Sequence, residues 1–293
     1  MTVAEANRIR REFYRKSIPT EEDLFRFTEA MGWLIRETHD PYAMLELGGQ
    51  YYEERKFDLA LRYYEMAAEY HVTDAYICLG YIWYYGRTGR RDFEKALHYY
   101  GLAAEAGSVN GAYKLADMYK NGYGVEKDYD RYASIIESLY PVVTAEDYSG
   151  GHQVEILTRL AGIRTAQGRT GEAVELYREA RWLLADRIAG NAFFGNLNMM
   201  MWLIDDLYAL IPFDPADMDL YDLYYLLKGP CTVRFYRGTT AYEVQASEED
   251  GMIVVRFGES WYRGREEFFR KASVGGELLT GVAGDLYGFA LVD

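Results

Sequence analysis

Residues 57–68 read FDLALRYYEMAA and residues 93–104 read FEKALHYYGLAA, so one helical pattern returns after 36 residues. Repeats of about this length are typical of stacked helical hairpins, which bury their apolar faces against one another. Such stacks usually present a grooved surface that holds a partner, and they seldom carry catalytic residues. The sequence therefore predicts a binding scaffold made of helical repeats.

Small and large residues alternate along these repeats. The predicted first helices each centre on a leucine followed by a small residue, namely Leu47-Gly48, Leu79-Gly80, Leu115-Ala116 and Leu160-Ala161. The second helices carry alanines at Ala60, Ala96 and Ala173, and each alanine is followed four residues later by a tyrosine, at Tyr64, Tyr100 and Tyr177. Because the small residues leave room for the rings, we expect the helices of each hairpin to pack closely.

This pattern resembles tetratricopeptide repeats and their relatives, the Sel-one-like (Sel1-like) repeats. The interval from the leucine to the first alanine is 13 residues for Leu47 and for Leu160, as in the tetratricopeptide type, and 17 for Leu79. A glycine-rich turn at residues 122–128 is typical of the Sel-one-like type, although Tyr132 stands where an alanine is expected. The resemblance covers about residues 41–187 and implies an α-α superhelical repeat array.

The sequence outside the repeats predicts a division into three parts. Residues 1–40 are expected to form capping helices, the first capped by Thr2 with Glu5. Residues 41–228 form the helical repeat domain with its C-terminal capping helices, which include helices over 192–210 and, starting at Asp217, over 218–227. Residues 229–293 alternate apolar and polar residues between glycine turns, which predicts a small antiparallel β-rich module.

The charge balance restricts the partners. The chain has 293 residues and a formal net charge of −14, which disfavours nucleic acid and anionic membranes and favours a protein or peptide partner with basic residues. The acidity alternatively serves solubility alone. Cys78 and Cys231 make no disulfide framework, which indicates a reducing, cytoplasmic location. Neither a secretory signal nor a membrane span is recognisable.

Residue types that carry catalysis are sparse. The four histidines include no pair at helical spacing, and no set of cysteines or carboxylates completes a metal site. Neither a nucleophile elbow nor a phosphate-binding glycine loop is present. His98 fits a structural role, whereas His152, in a glycine-bearing loop, fits a structural or a functional one. We therefore predict a protein that is not an enzyme and that uses no metal or cofactor.

The resemblance also implies which side chains line the concave groove, because they lie two and five positions from each key leucine. The predicted partner-binding residues are Tyr42, Tyr52, Asp74, Tyr81, Tyr84, Asn110, Tyr113, Asp117, Lys120 and Glu155. Tyrosine rings supply rigid contact area, and Asp74 and Asp117 can pair with basic residues of a partner. In the alternative interpretation the tyrosines pack within the chain and fill the groove in cis.

The β-rich module offers a secondary patch, formed by Trp261, Tyr262, Arg263 and Arg265. These residue types are common at interfaces and equally common in the core and edge of a small sheet. Two functional hypotheses follow. In the first, the protein is a scaffold or adaptor that binds a peptide or protein in the groove of the repeats. In the second, it is a ligand-responsive regulator whose β module binds a small molecule.

Overall fold

The computed structural model describes residues 1–190, 194–216 and 218–292. The chain divides into two compact units, Met1–Leu139 and Tyr140–Asp293. The first unit consists of paired helices, and the second adds an antiparallel sheet to its helices. This confirms the predicted fold class, a mainly α repeat protein with a small β-rich C-terminal module, whereas the predicted domain boundaries stay predictions.

The helices of the first unit follow the predicted repeats. Their bounds are α1 Val3–Tyr14, α2 Glu21–Thr38, α3 Pro41–Glu53, α4 Phe57–Ala68, α5 Thr73–Tyr85, α6 Phe93–Glu105 and α7 Val109–Asn121. Helix α8, Tyr129–Val143, contains the boundary between the units. Helix α3 packs on α4 and α5 packs on α6 within the hairpins, and α4 packs on α5 and α6 on α7 between them, so each of these hairpins contacts the next.

Local sequence signals set where these helices begin and end. Thr2 and Glu5 form the expected capping box at α1, and Thr20 forms another with Asp23 at α2. Each box satisfies backbone N–H groups that have no partner inside the helix. Helix α5 ends at Gly86, whose left-handed φ of 63° suits a residue without a Cβ. This ending directs the chain into the lengthened turn before α6.

Tyrosine rings pack directly on the small residues that follow the key leucines. A Cβ placed on Gly48 would lie 2.7 Å from Cδ1 of Tyr64, and one placed on Gly80 would overlap the ring of Tyr100. Both rings are buried. The expected packing of small against large residues is therefore confirmed in the first two hairpins.

The second unit contains a buried carboxylate at which three of its helices meet. The bounds of the helices before its sheet are α9 Gln153–Ala166, α10 Thr170–Gly190, α11 Phe194–Leu210 and α12 Leu220–Leu226. Asp222 of α12 is fully buried; it accepts hydrogen bonds from the Tyr208 hydroxyl of α11 and, at 2.9 Å, from Nη2 of Arg181 on α10. One side chain thus links three helices.

The structure corrects the predicted start of one capping helix and does not describe part of another. Helix α12 begins at Leu220 rather than at Met218, because the side chain of Asp219 accepts hydrogen bonds from the backbone of Tyr221 and Asp222 and caps the helix there. Asp217, the predicted start, and residues 192–193 of the predicted helix over 192–210 lie outside the described residues.

The β module is a five-stranded antiparallel sheet with strand order β4-β3-β2-β1-β7. Its strands are β1 Cys231–Arg237, β2 Thr240–Glu249, β3 Met252–Phe257, β4 Ser260–Arg263 and β7 Leu286–Leu291, and a separate short pair is formed by β5 Ser273–Val274 and β6 Glu277–Leu278. Helix α13, Gly264–Lys271, follows β4, and a 3-10 helix, Leu279–Asp285, precedes β7. Val233, Phe235, Val244, Val255 and Phe257 point to the buried face, which confirms the predicted alternation.

No helix in the described part of the chain combines the length and apolarity that crossing a bilayer requires.

Candidate functional site

Partly exposed tyrosines of α3 and α5 lie side by side in the first unit. Tyr81 stacks on Tyr85 with ring centroids 5.9 Å apart, and Tyr85 contacts Tyr84 edge to face at 4.9 Å. Tyr52 of α3 lines the same pocket as Tyr81. We call Tyr52, Tyr81, Tyr84 and Tyr85 the aromatic surface.

Neighbouring elements hold these rings in place. Tyr84 packs against Phe93 of α6 at 5.5 Å, and Tyr81 packs against the buried ring of Tyr100 at 6.1 Å. From α7, Nζ of Lys114 lies 5.1 Å from the centroid of the Tyr81 ring. The aromatic surface is therefore built on rigid helices, and its rings lose little freedom when a partner binds.

A small apolar pocket opens in this surface. It has a volume of about 260 Å³ and is lined by Tyr52, Tyr64, Cys78 and Tyr81. Burial raises the pKa of the Cys78 thiol to about 11, with a further contribution from the charge of Asp74. Burial likewise raises the pKa of the Tyr64 hydroxyl. Both groups are neutral at physiological pH, so the pocket presents an uncharged, aromatic lining.

Arg87 stands at the edge of the aromatic surface. It directly follows Gly86, and its guanidinium lies 5.7 Å from the ring centroid of Tyr52, 5.1 Å from that of Tyr85 and 5.8 Å from that of Phe57. Its Nε donates a hydrogen bond of 2.9 Å to the Tyr52 hydroxyl. Guanidinium groups stack favourably on aromatic faces, so this cation is held in one orientation.

The structure brings together some of the predicted groove residues. Tyr52, Tyr81 and Tyr84 belong to the aromatic surface, and Tyr42 and Asp74 are exposed at the starts of α3 and α5. The predicted residues of α7 are Asn110, Tyr113, Asp117 and Lys120. Tyr113 is buried, and Asn110 and Asp117 are partly buried. The ammonium of exposed Lys120 lies 5.2 Å from the Tyr132 ring centroid.

Glu155 belongs to the second unit. Its carboxylate accepts a hydrogen bond of 2.8 Å from Nη1 of Arg187, which ties α9 to α10. A role for Glu155 and for the other groove residues in partner binding stays a prediction.

Four residues in or beside the aromatic surface, namely Tyr64, Cys78, Tyr85 and Arg87, are not among the predicted site residues. The sequence predicts only a packing role for Tyr64, and Cys78, Tyr85 and Arg87 do not occupy the groove positions that the resemblance implies. The one sequence signal for Arg87 is the longer interval between Leu79 and Ala96, which places extra residues immediately after α5.

The secondary patch is divided by the pleat of β4 and the start of α13. Trp261 and Arg263 are exposed, and the Trp261 ring lies 5.7 Å from the guanidinium of Arg256. Tyr262 instead packs on Phe268 at 5.5 Å. Arg265 lies 3.8 Å over the ring of Tyr224 within the second unit. A partner for this patch stays a prediction.

A cavity of about 540 Å³ lies beside the sheet, where Tyr242, Phe257 and Tyr262 contribute to its lining. This volume falls within the range of about 300–1,000 Å³ that is usual for small-molecule sites. Binding of a small molecule by the β module stays a prediction.

Comparison with known proteins identifies the repeats. Residues 41–69, 73–108 and 109–133 match the family model of the Sel1 repeat. A Sel1 repeat protein from Oxalobacter formigenes is a similar solved structure, 22% identical, with a TM-score of 0.48, and the match covers 71% of this chain and 79% of that one. A second is c5321, a protective antigen of uropathogenic Escherichia coli strains displaying an SLR fold, 22% identical, with a TM-score of 0.44, covering 62% of this chain and 41% of that one. No curated protein matches the chain.

The match confirms the expected resemblance for part of the predicted array. The predicted hairpin around Leu160 lies outside the matched residues. Sel1 repeats are generally protein–protein interaction modules, and proteins built from them are typically non-catalytic. Residues 41–69, 73–108 and 109–133 of this chain are therefore similar to the Sel1 repeat.

Proposed function

We propose that the protein is a non-enzymatic scaffold or adaptor whose aromatic surface binds a peptide or protein segment. The observation that carries this proposal is the cluster of Tyr52, Tyr81, Tyr84 and Tyr85 on the helical repeats, in which Tyr52 and Tyr81 line an open apolar pocket. Tyrosine offers large contact area, a polar tip and few rotatable bonds, which makes it effective at interfaces.

The charge of the chain supports a partner that carries basic residues. The net charge is −14, and the exposed Asp74 stands at the start of α5 beside the surface. A lysine or arginine of the partner can form a charge-assisted hydrogen bond there. The acidity also disfavours nucleic acid as the partner. Cys78 and Cys231 are free thiols, which supports our proposal of a reducing compartment such as the cytoplasm.

Filling of the surface by the chain itself is the competing interpretation. Lys114 covers part of the Tyr81 ring, yet Tyr81 remains partly exposed and Tyr85 is 44% exposed. The pocket beside Tyr81 also retains its volume of about 260 Å³ within the first unit. Room for an external side chain therefore favours a partner in trans.

Replacement of one tyrosine tests the proposal. We expect Tyr81→Ala to reduce partner recovery in affinity capture from the native cell at least about tenfold, as loss of a central aromatic contact does at other interfaces. Tyr70→Ala is the matched control, because Tyr70 is 47% exposed and lies in the turn between α4 and α5, at the opposite end of α5 from Tyr84 and Tyr85. Circular dichroism verifies that both variants fold. Equal recovery of the partner by wild type and Tyr81→Ala would show that the partner does not bind at the aromatic surface.

A further inference from the structure

Arg87 is a cation with no acidic partner among the residues that the structure describes. Within the described residues its guanidinium forms no ion pair, although it is surrounded by the rings of Tyr52, Phe57 and Tyr85. Arginine has five N–H donors. The Tyr52 hydroxyl takes the Nε hydrogen at 2.9 Å, and the side chain as a whole is exposed. The two terminal nitrogens are therefore available to a carboxylate from outside the chain.

The orientation of this guanidinium is fixed before anything binds. Gly86 ends α5 in a left-handed conformation and directs Arg87 towards α3. The contact with Tyr52 then anchors it across 35 positions of sequence. A cation held in this way loses little conformational entropy when it pairs, and its planar fork suits a carboxylate.

The apolar pocket adjoins this cation through a shared residue. Tyr52 both lines the pocket and accepts the hydrogen bond from Arg87. The pocket volume of about 260 Å³ lies below the usual range of drug-sized sites, which is about 300–1,000 Å³, and suits a single side chain. Its aromatic lining favours an apolar group.

We propose that the partner is a protein segment with an apolar residue next to an aspartate or glutamate, a proposal that rests on the proposed function. The apolar side chain enters the pocket of Tyr52, Tyr64, Cys78 and Tyr81, and the carboxylate pairs with Arg87. Asp74 stands at the other end of α5, a helix of 13 residues, and so about 20 Å from Arg87. The charge beside the surface changes sign along α5, which orients the segment with its acidic residue towards Arg87.

Selection of peptides from a random 12-residue phage-displayed library on the full-length protein tests the proposal. We expect the enriched peptides to share an apolar residue within two positions of an acidic one. Arg87→Gln should weaken their affinity about tenfold or more, because a charge-assisted hydrogen bond is lost. Arg90→Gln, which changes an exposed arginine of the same turn, is the matched control and should bind as wild type does.

The variants distinguish the two ways of failing. Peptides that lose binding in Tyr81→Ala but not in Arg87→Gln would overturn the acidic partner and leave the proposed function intact. Peptides that bind Tyr81→Ala as tightly as wild type would overturn the proposed function itself. A selection that enriches no peptide would count against both.

Labelling of Cys78 reports occupancy of the pocket independently. In a Cys231→Ser variant the remaining thiol is Cys78, which lines the pocket. A saturating enriched peptide should slow its alkylation by iodoacetamide at pH 9 at least fivefold. An unchanged rate with the peptide bound would place the apolar side chain elsewhere and overturn the pocket assignment.

Discussion

Glycine next to tyrosine sets the distance between the two helices of a hairpin. Gly48 faces the ring of Tyr64, and Gly80 faces the ring of Tyr100. Each ring occupies the place of the missing side chain, so any added Cβ must displace a buried aromatic group. Protein interiors resist such displacement because they are close-packed.

Gly48→Ala tests this packing. The new Cβ would lie 2.7 Å from Tyr64 Cδ1, and we expect the free energy of unfolding in urea to fall by about 1–3 kcal/mol. Gly101→Ala is the control, because nothing lies within 4 Å of its Cβ position on α6. That change should raise the free energy by about 0.5–1 kcal/mol through helix propensity. A stabilised Gly48→Ala would refute close approach as the reason for glycine.

Residue-level features were predictable where they depend on spacing within one hairpin. The packing of Tyr64 on Gly48 follows from the fixed interval between them, and the Thr2–Glu5 capping box is a local motif. Arg87 was not predictable as a site residue. Its position depends on the conformation of a turn and on a hydroxyl 35 positions earlier in the sequence.

Helices α10, α11 and α12 are joined through the buried side chain of Asp222. Burial raises the pKa of this carboxyl, while the charge of Arg181 and the hydrogen bond from Tyr208 oppose the rise. A buried carboxylate is tolerated only when its partners replace the lost water. The three helices are consequently fixed by one polar cluster within an otherwise apolar core.

Asp222→Asn tests the importance of that cluster. The change removes one of the two carboxylates that pair with the partly buried Arg181 and leaves Asp219 at 2.7 Å, and we expect the free energy of unfolding to fall by about 1–3 kcal/mol. Glu175→Gln breaks an exposed pair with Arg178 in the same helix, α10, and should cost less than about 0.5 kcal/mol. Chemical denaturation of both variants measures the difference. Equal free energies of unfolding for the two variants would show that the cluster does not stabilise the fold.

Among the secondary-structure elements, the strands of the β module were easier to predict than α12, the helix that precedes them. Alternation of Val233 and Phe235 with polar residues is a local pattern, and the structure reproduces it. The start of α12 was predicted too early, because several aspartates nearby are equally suitable caps. The pairing of Asp222 with Arg181 joins residues 41 positions apart and has no sequence signature.

The whole molecule combines an acidic chain with a local aromatic surface that has the exposed cation Arg87 at its edge. The helical repeats were predictable because each hairpin repeats the same short pattern. The chemistry of the partner was not, because it depends on side chains that three-dimensional packing brings together. The proposed function therefore requires that a partner bind at the aromatic surface.

Site-specific photo-crosslinking tests this claim most directly. A benzophenone amino acid is placed at Tyr85 or, as the control, at Tyr70, which have similar exposures of 44% and 47%. We predict that position 85 crosslinks the full-length protein to one partner in the native cell, that position 70 does not, and that Tyr81→Ala abolishes the product. Equal crosslinking from both positions, or a product that survives Tyr81→Ala, would contradict the account.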